Sequence, residues 1–355
     1  MRYFSADLIT NNPRQHGAWW GELSLAREHF HQTEDALVAV GNTSGLTANA
    51  AAVLPRDAWL DLDNITRRVM RADEGQVWMA DLMPLAKPVN IGKLVHLNRV
   101  SSDAGVVVRS MSGQVPVPLD KVAYDYRGTP VPIFATGYGR EWREWNTLQS
   151  ENFDALSDDQ EAHVAKLRRD NALYVLDGDA SIVVEGYTAY GIRTSPYSKA
   201  INLGSAAGGA NIDLTTAGAD DIDAFLAGPF GAMLDANYIT GGVNLYISPE
   251  IARNWDRPYS GSAGYKPGTI LDYVLGNRRV NKVAVSFELS GNSFFGFVPN
   301  ADYIRPLVAM ATSTVAMPRQ HPRANYQFEV WNAMGIEIRA DINGRSGVFY
   351  SVVVN

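Results

Sequence analysis

The chain has 355 residues, 46% of them apolar and 19% charged, with a net charge of −7 and no cysteine. That length can bury a sizeable core, and that composition excludes a mainly disordered chain. The absent thiols exclude disulfides and thiolate metal sites, and an acidic balance without any Lys/Arg run argues against a grip on nucleic-acid phosphates.

The N-terminus, Met1-Arg2-Tyr3-Phe4, has no apolar signal core, and no stretch approaches about 18 apolar residues. The chain is therefore expected to stay in the cytoplasm and out of membranes. Residues 1–56 read as an arm. Leu23, Ala26, Phe30, Thr33, Leu37 and Val40 fall at alternating steps of three and four, one apolar stripe on a helix that Gly41 would end. Such a stripe packs on its own core or on a neighbouring subunit. The tether that follows over 41–53, mostly Gly, Asn, Thr, Ser and Ala, favours the neighbour. Leu54-Pro55-Arg56-Asp57-Ala58-Trp59 then begins the body, and Ile65, Val69 and Met70 continue a helical pattern.

From Val77 to Trp145 the pattern is β. Val95-His96-Leu97 and Val106-Val107-Val108 flank Ser101-Ser102-Asp103-Ala104-Gly105, whose composition favours a tight turn. Extended segments follow over 115–118, 122–126 and 131–136. Pro116 and Pro118 donate no ladder bond, so this part suits an exposed, edge-like ribbon.

Over 157–177 the sequence predicts a long helix. Ser157 is a candidate N-cap with Gln160 three residues on, and Asp158, Asp159 and Glu161 supply early acids. Gly178 is placed to stop it in the left-handed conformation. A short loop with Gly186 leads to Tyr190-Gly191-Ile192.

Residues 195–315 read as a compact α/β region. Ile222, Phe225, Leu226, Phe230, Met233 and Leu234 give a helical face, which Pro229 is expected to split at the first turn of a second helix. A strand over 243–247 precedes the helix start Ser248-Pro249-Glu250, and Thr269 with Asp272 caps a short helix up to Gly276. Strands are expected over 282–289, 294–298 and near 306–311. At the end Tyr326, Phe328 and Val330 alternate, as do Ile336, Ile338, Ala340 and Ile342. Asn343-Gly344 is a preferred hairpin turn, closing onto 348–353.

A search for chemistry finds no catalytic, cofactor or metal site. His29 and His31 point to different helix faces, and no HExxH occurs. The Gly204–Gly209 run lacks the Gly-Lys-Ser/Thr ending of a phosphate cradle. Asp220, Asp221 and Asp223 lack the spacing of a calcium loop and suit a helix N-terminus. Ser44, Ser290 and Ser293 sit in no nucleophile elbow. Trp19-Trp20, Trp142 and Trp145 read as packing residues.

The long helix, the Asp177-Gly178 stop and the Gly191-Ile192 exit together resemble the spine helix of the tailed-phage major capsid fold, the Hong Kong 97-type fold shared with encapsulins. The Pro55 to Trp59 opening resembles that of encapsulins. The order of elements agrees over about 54–355. The resemblance implies an α+β fold with an N-terminal arm (1–56) and an extended β-hairpin loop (88–128). A peripheral domain (57–87, 129–194 and 316–355) would hold the spine helix, and an axial α/β domain would span 195–315.

It also implies a major capsid protein that self-assembles, as pentamers and hexamers, into an icosahedral shell. The shell would enclose double-stranded DNA without sequence-specific binding. The implied place is the virion, assembled in the host bacterial cytoplasm, with portal and a separate scaffolding or decoration protein as further partners. An encapsulin-type compartment shell and an α/β enzyme with an unrecognised site are the alternatives. Leu23, Phe30 and Leu37 of the arm, Trp59, and Val106 and Val108 of the extension are the expected inter-subunit contacts. Some members of the fold weld subunits through a lysine–asparagine bond. Lys87, Lys93 and Lys121 lie in or near the extension, but no matching trio can be assigned.

Overall fold

The computed structural model describes residues 75–355, apart from 113, 115, 117, 118, 146–154, 207, 262 and 263. The arm with Leu23, Phe30 and Leu37, and the Trp59 segment after it, lie outside the described residues.

Where β structure was expected from Val77, the chain instead forms helix α1 (Gln76–Leu82). Burial is the reason: Trp78 and Leu82 are completely covered and Met79 nearly so, which needs one helical face. After strand β1 (Lys87–Pro88), strands β2 (Val95–Ser101) and β3 (Tyr124–Pro130) form an antiparallel ribbon. Its ladder runs from Val95 opposite Pro130 to Ser101 opposite Tyr124. The expected tight turn at 101–105 is therefore not made. The chain leaves the ladder at Ser101, and the described residues between 102 and 123, Val106 and Val108 among them, form no helix or strand. A strand through 115–118 would lack two ladder donors, whereas Tyr124–Thr129 can donate at every residue.

Strand β4 (Ile133–Arg140) leads to the spine helix α2 (Ala155–Asp177). Ala155 is already helical, so Ser157 lies inside the helix rather than capping it. Gln160 does not close a capping box; its Nε2 donates to Thr314 Oγ1 at 3.2 Å. The far end is as expected: Gly178 has φ 69°, the left-handed stop. The predicted loop after it is a hairpin of β5 (Gly178–Val184) and β6 (Tyr187–Tyr190). Glu185 (φ 52°) and Gly186 (φ 83°) supply the two left-handed residues of its turn.

The next region comprises β7 (Lys199–Asn202), α3 (Ala219–Phe225), α4 (Gly231–Ala236), β8 (Val243–Ile247), α5 (Pro249–Trp255), β9 (Pro258–Gly261), β10 (Gly264–Thr269), α6 (Ile270–Leu275), β11 (Val280–Val285) and β12 (Phe294–Phe297). Pro229 does not open a second helix. It lies in a wide π-type turn, Leu226–Phe230, joining α3 to α4. That turn absorbs the residue that cannot donate a helical bond. Ser248 caps α5 by accepting from Ile251 N, and Thr269 caps α6 with Asp272 reaching back, both as the sequence implied. β11 stops at Val285, earlier than expected, because Ser286 turns away and is fully buried.

The last strands are β13 (Ile304–Ala316), β14 (Tyr326–Ile338) and β15 (Val348–Val352). One sheet has the order β1-β13-β14-β4, the other β11-β8-β12-β15-β7. The terminal hairpin expected at Asn343-Gly344 does not form. Gly344 does turn (φ 77°), and Asp341 N donates to Arg345 O at 3.0 Å. Yet both edges of β14 are already taken, by β13 and β4, so β15 passes to the second sheet. Residues 316–355, expected in one peripheral domain, are thus divided between the two sheets.

The five-stranded sheet is buried on both faces, with every residue of β8 and β12 covered. Val243, Leu245 and Ile247 join a core with α3 to α6, while Tyr246, Phe295 and Phe297 join one with Trp78 and the end of α2. The four-stranded sheet packs Tyr138 and Val330 on Leu167 of the spine helix.

Candidate assembly surface

The ribbon has two unlike faces. Along β2, His96, Asn98 and Val100 turn inward, while Leu97, Arg99 and Ser101 turn to solvent. Opposite the outward set stand Tyr126 and Tyr124, both exposed, so this face shows Leu97 and two tyrosine rings beside Arg99 and Ser101, uncovered by any described part of the chain. The tip continues it: Val106 is 75% exposed, Val108 37% and Leu119 99%. An exposed surface of this kind is a candidate contact surface.

The root of the ribbon is held firmly. Arg127 Nη1 donates to Ala340 O at 2.7 Å and Nη2 to Asp341 O at 3.2 Å. The same guanidinium lies 4.3 Å from the Tyr197 ring centroid. Tyr187 of β6 packs against Gly128. His96 faces Lys87 at 3.4 Å and the buried Glu337 at 4.0 Å. Burial pushes the His96 imidazole below its ordinary value; Lys87, Arg305 and Arg339 add to this, and Glu337 opposes it.

Polar side chains tie distant parts of the chain together. Glu337, 1% exposed, accepts from Arg305 Nε at 2.5 Å. Asp81 accepts from Tyr246 OH at 2.5 Å and from Lys282 Nζ at 2.6 Å. Burial, then the Asp81 hydrogen bond, raises the Tyr246 hydroxyl far above the usual phenol range. Ser293 Oγ donates to Ser290 O at 2.6 Å, a local turn contact. Asp221 reaches back to Gly218 N, and Asp223 accepts from Tyr259 OH at 2.5 Å. The Gly204–Gly209 loop wraps the chain's end, with Leu203 N donating to Val352 O at 2.8 Å. Among the described residues no group of three or more His, Cys, Asp or Glu could hold a metal ion. No described helix is long and apolar enough to cross a membrane.

Of the expected contact residues, Val106 and Val108 are exposed on the ribbon's tip, and Leu23, Phe30, Leu37 and Trp59 fall outside the described residues. Sequence reasoning missed Leu97, Tyr124, Tyr126 and the anchor Arg127. The alternation of polar and apolar residues over 95–101 could have given the first; no local signal gives Arg127, whose hydrogen-bond partners lie more than 200 residues away.

Residues 49–351 match the family described as "Family of unknown function (DUF6260)". The chain belongs to this family. No curated protein matches it. Among solved structures, this member of the family is similar to the capsid of Myoviridae Phage XM1, at TM-score 0.63 and 9% identity, over 86% of this chain and 100% of that one. It is similar to the capsid of a native GTA particle at TM-score 0.56 and 12% identity, over 87% and 98% of the two chains. It is likewise similar to a chain of Microbacterium phage Oxtober96 at TM-score 0.56 and 13% identity, over 86% and 98%. This family member therefore has the tailed-phage capsid fold, the Hong Kong 97-like α+β architecture.

Proposed function

We propose that the protein is the major capsid protein of a tailed phage, a subunit that assembles with copies of itself into a closed icosahedral shell. The observation that carries this reading is the braced ribbon with its uncovered face of Leu97 and tyrosine rings, on a chain whose fold is that of phage capsid subunits. In this reading 88–128 is the extension that lies over a neighbour, 195–315 the axial domain, and 57–87, 129–194 and 316–355 the peripheral domain. The arm 1–56, through Leu23, Phe30 and Leu37, together with Trp59, Val106 and Val108, contacts other subunits.

Repeating one contact around local symmetry axes makes a closed particle from many modest interfaces. Overlap of arm and ribbon would bury more than about 1,600 Å², the size of a standard interface. The role is structural. The subunit joins pentamers and hexamers in the host cytoplasm, with portal and a separate scaffolding or decoration protein, and is carried in the virion. A net charge of −7 suits a wall that encloses double-stranded DNA without gripping it.

The test is electron microscopy of the recombinant protein after size exclusion, with absorbance at 260 and 280 nm on the largest species. Uniform hollow particles are expected. A second co-purifying cargo chain would redirect the reading to an encapsulin-type compartment, and a homogeneous small oligomer under every salt and crowding condition, also with a scaffolding protein co-expressed, would overturn it. Removal of residues 1–40 should leave the fold intact and block or slow assembly.

A further inference from the structure

The four-stranded sheet packs one face on the spine helix and leaves the other open. Thr136, Tyr138 and Arg140 of β4 meet His163, Leu167 and Asp159 of α2, so Ile133, Ala135, Gly137 and Gly139 point the opposite way, and all four are exposed. Phe328 and Val330 of β14 also take the helix side, which turns Gln327, Glu329 and Trp331 outward. On β13, Ser313 stands opposite Trp331 and Val315 opposite Glu329. Met317 comes next on that side, its N donating to Gln327 O at 2.9 Å.

An antiparallel sheet with one wet face ordinarily sets polar side chains there. This face departs from that pattern. Ile133 is 58% exposed, Val315 47% and Met317 41%, and Glu329 is the sole charge among these outward residues. Gly137 and Gly139 leave this side of β4 as a strip of backbone, flat enough to take bulky rings from outside.

We propose that this open face seats the ribbon of a second copy of the chain, the two laid face to face. Shape, charge and size select that occupant. The ribbon's outward face raises Leu97 and the Tyr124 and Tyr126 rings, where the sheet offers its glycine strip. The charged member of that ribbon face is Arg99, opposite in sign to Glu329. Strands β13, β14 and β4 span two strand spacings, about 10 Å, enough to support a two-stranded ribbon. Ribbon and sheet face are different surfaces of one chain, so the contact is heterologous and can repeat around a ring. The inference deepens the shell reading by naming where the extension lands, and rests on that reading for the closure of the ring.

The chain has no cysteine, so introduced thiols are the only ones to react. Leu97→Cys and Val315→Cys are placed together in one chain, with each alone as a control, all checked for folding by circular dichroism. A short bis-maleimide is then added to the assembled protein. The double variant should give a ladder of covalently joined chains on a denaturing gel, and each single variant nothing larger than a dimer. Particles that yield no ladder would overturn the docking and leave the shell reading standing. A ladder from oligomers that never close, even with a scaffolding protein co-expressed, would keep the docking and remove the shell. A wild type that is monomeric at every concentration would overturn both. The charges give a second measurement. Arg99→Glu and Glu329→Arg should each lower assembly at least about tenfold, by light scattering, and the two together should restore it. Wild-type assembly by both single variants would overturn the pairing of these two faces.

Discussion

The ring of Tyr187 lies against the α-carbon of Gly128, so near that a methyl group there would meet three ring atoms at 2.5, 2.6 and 2.7 Å. The hairpin that follows the spine helix is in this way a brace for the ribbon. Gly128→Ala should force the ring aside and cost about 1–3 kcal/mol, the usual penalty of overpacking. Chemical denaturation would show a lowered midpoint, and hydrogen exchange should quicken over 95–101 and 124–130. Unchanged exchange in the ribbon would mean that the brace is not what holds it.

The exit of the spine helix is equally tight. A β-carbon on Gly178 would strike the backbone of Ala189 and Gly191, and one on Gly191 would strike Asp177 and Gly178. Gly178 also holds φ 69°. Gly178→Ala should therefore destabilise by more than the roughly 1–2 kcal/mol of a left-handed alanine alone. Gly186→Ala, at φ 83° with open space around it, should cost only the conformational part. Thermal melts of the two variants give the comparison.

His96 should make stability depend on pH. Its folded value lies below the ordinary 6.5, chiefly through burial. The unfolded chain takes up the proton near pH 6.5 while the folded chain still resists it, so unfolding is favoured as pH drops through that window. Stability should be full above it and decline below it. In His96→Gln this part of the decline should vanish, leaving a flatter profile of urea midpoint against pH.

The apolar tip should matter to assembly and not to folding. Val106 and Val108 touch no core, so Val106→Asp with Val108→Asp should leave the melting temperature nearly unchanged, within about 0.5 kcal/mol. Particle yield should fall sharply. A pair of charges buried at a contact without partners is costly enough to stop it. Wild-type particles from this double variant would remove the tip from the contact surface.

What could be read from the sequence followed locality. Ser248, Thr269 and Gly178 act within a few residues of themselves, and their caps stand where the sequence placed them. Pairings across long separations could not be read. Nothing near Ser101 tells that its partner is Tyr124 rather than a valine seven residues away, because any β-capable segment suits the ladder until proline removes its donors. Nor could Asn343-Gly344 reveal that β14 would already have two neighbours. The assembly surface was half visible. Val106 and Val108 stand out as apolar residues in polar surroundings, whereas Arg127 meets Ala340 and Asp341 only once β3 lies beside the 339–345 turn.

The place of β15 bears on the order of folding. This strand lies between β12 and β7, parallel to β7, although β7 comes far earlier in the chain. Until β15 is in place the sheet has an open slot, and the core that includes Phe349 lacks a wall. The earlier strands therefore cannot close this sheet by themselves, and non-local pairing of this kind forms slowly.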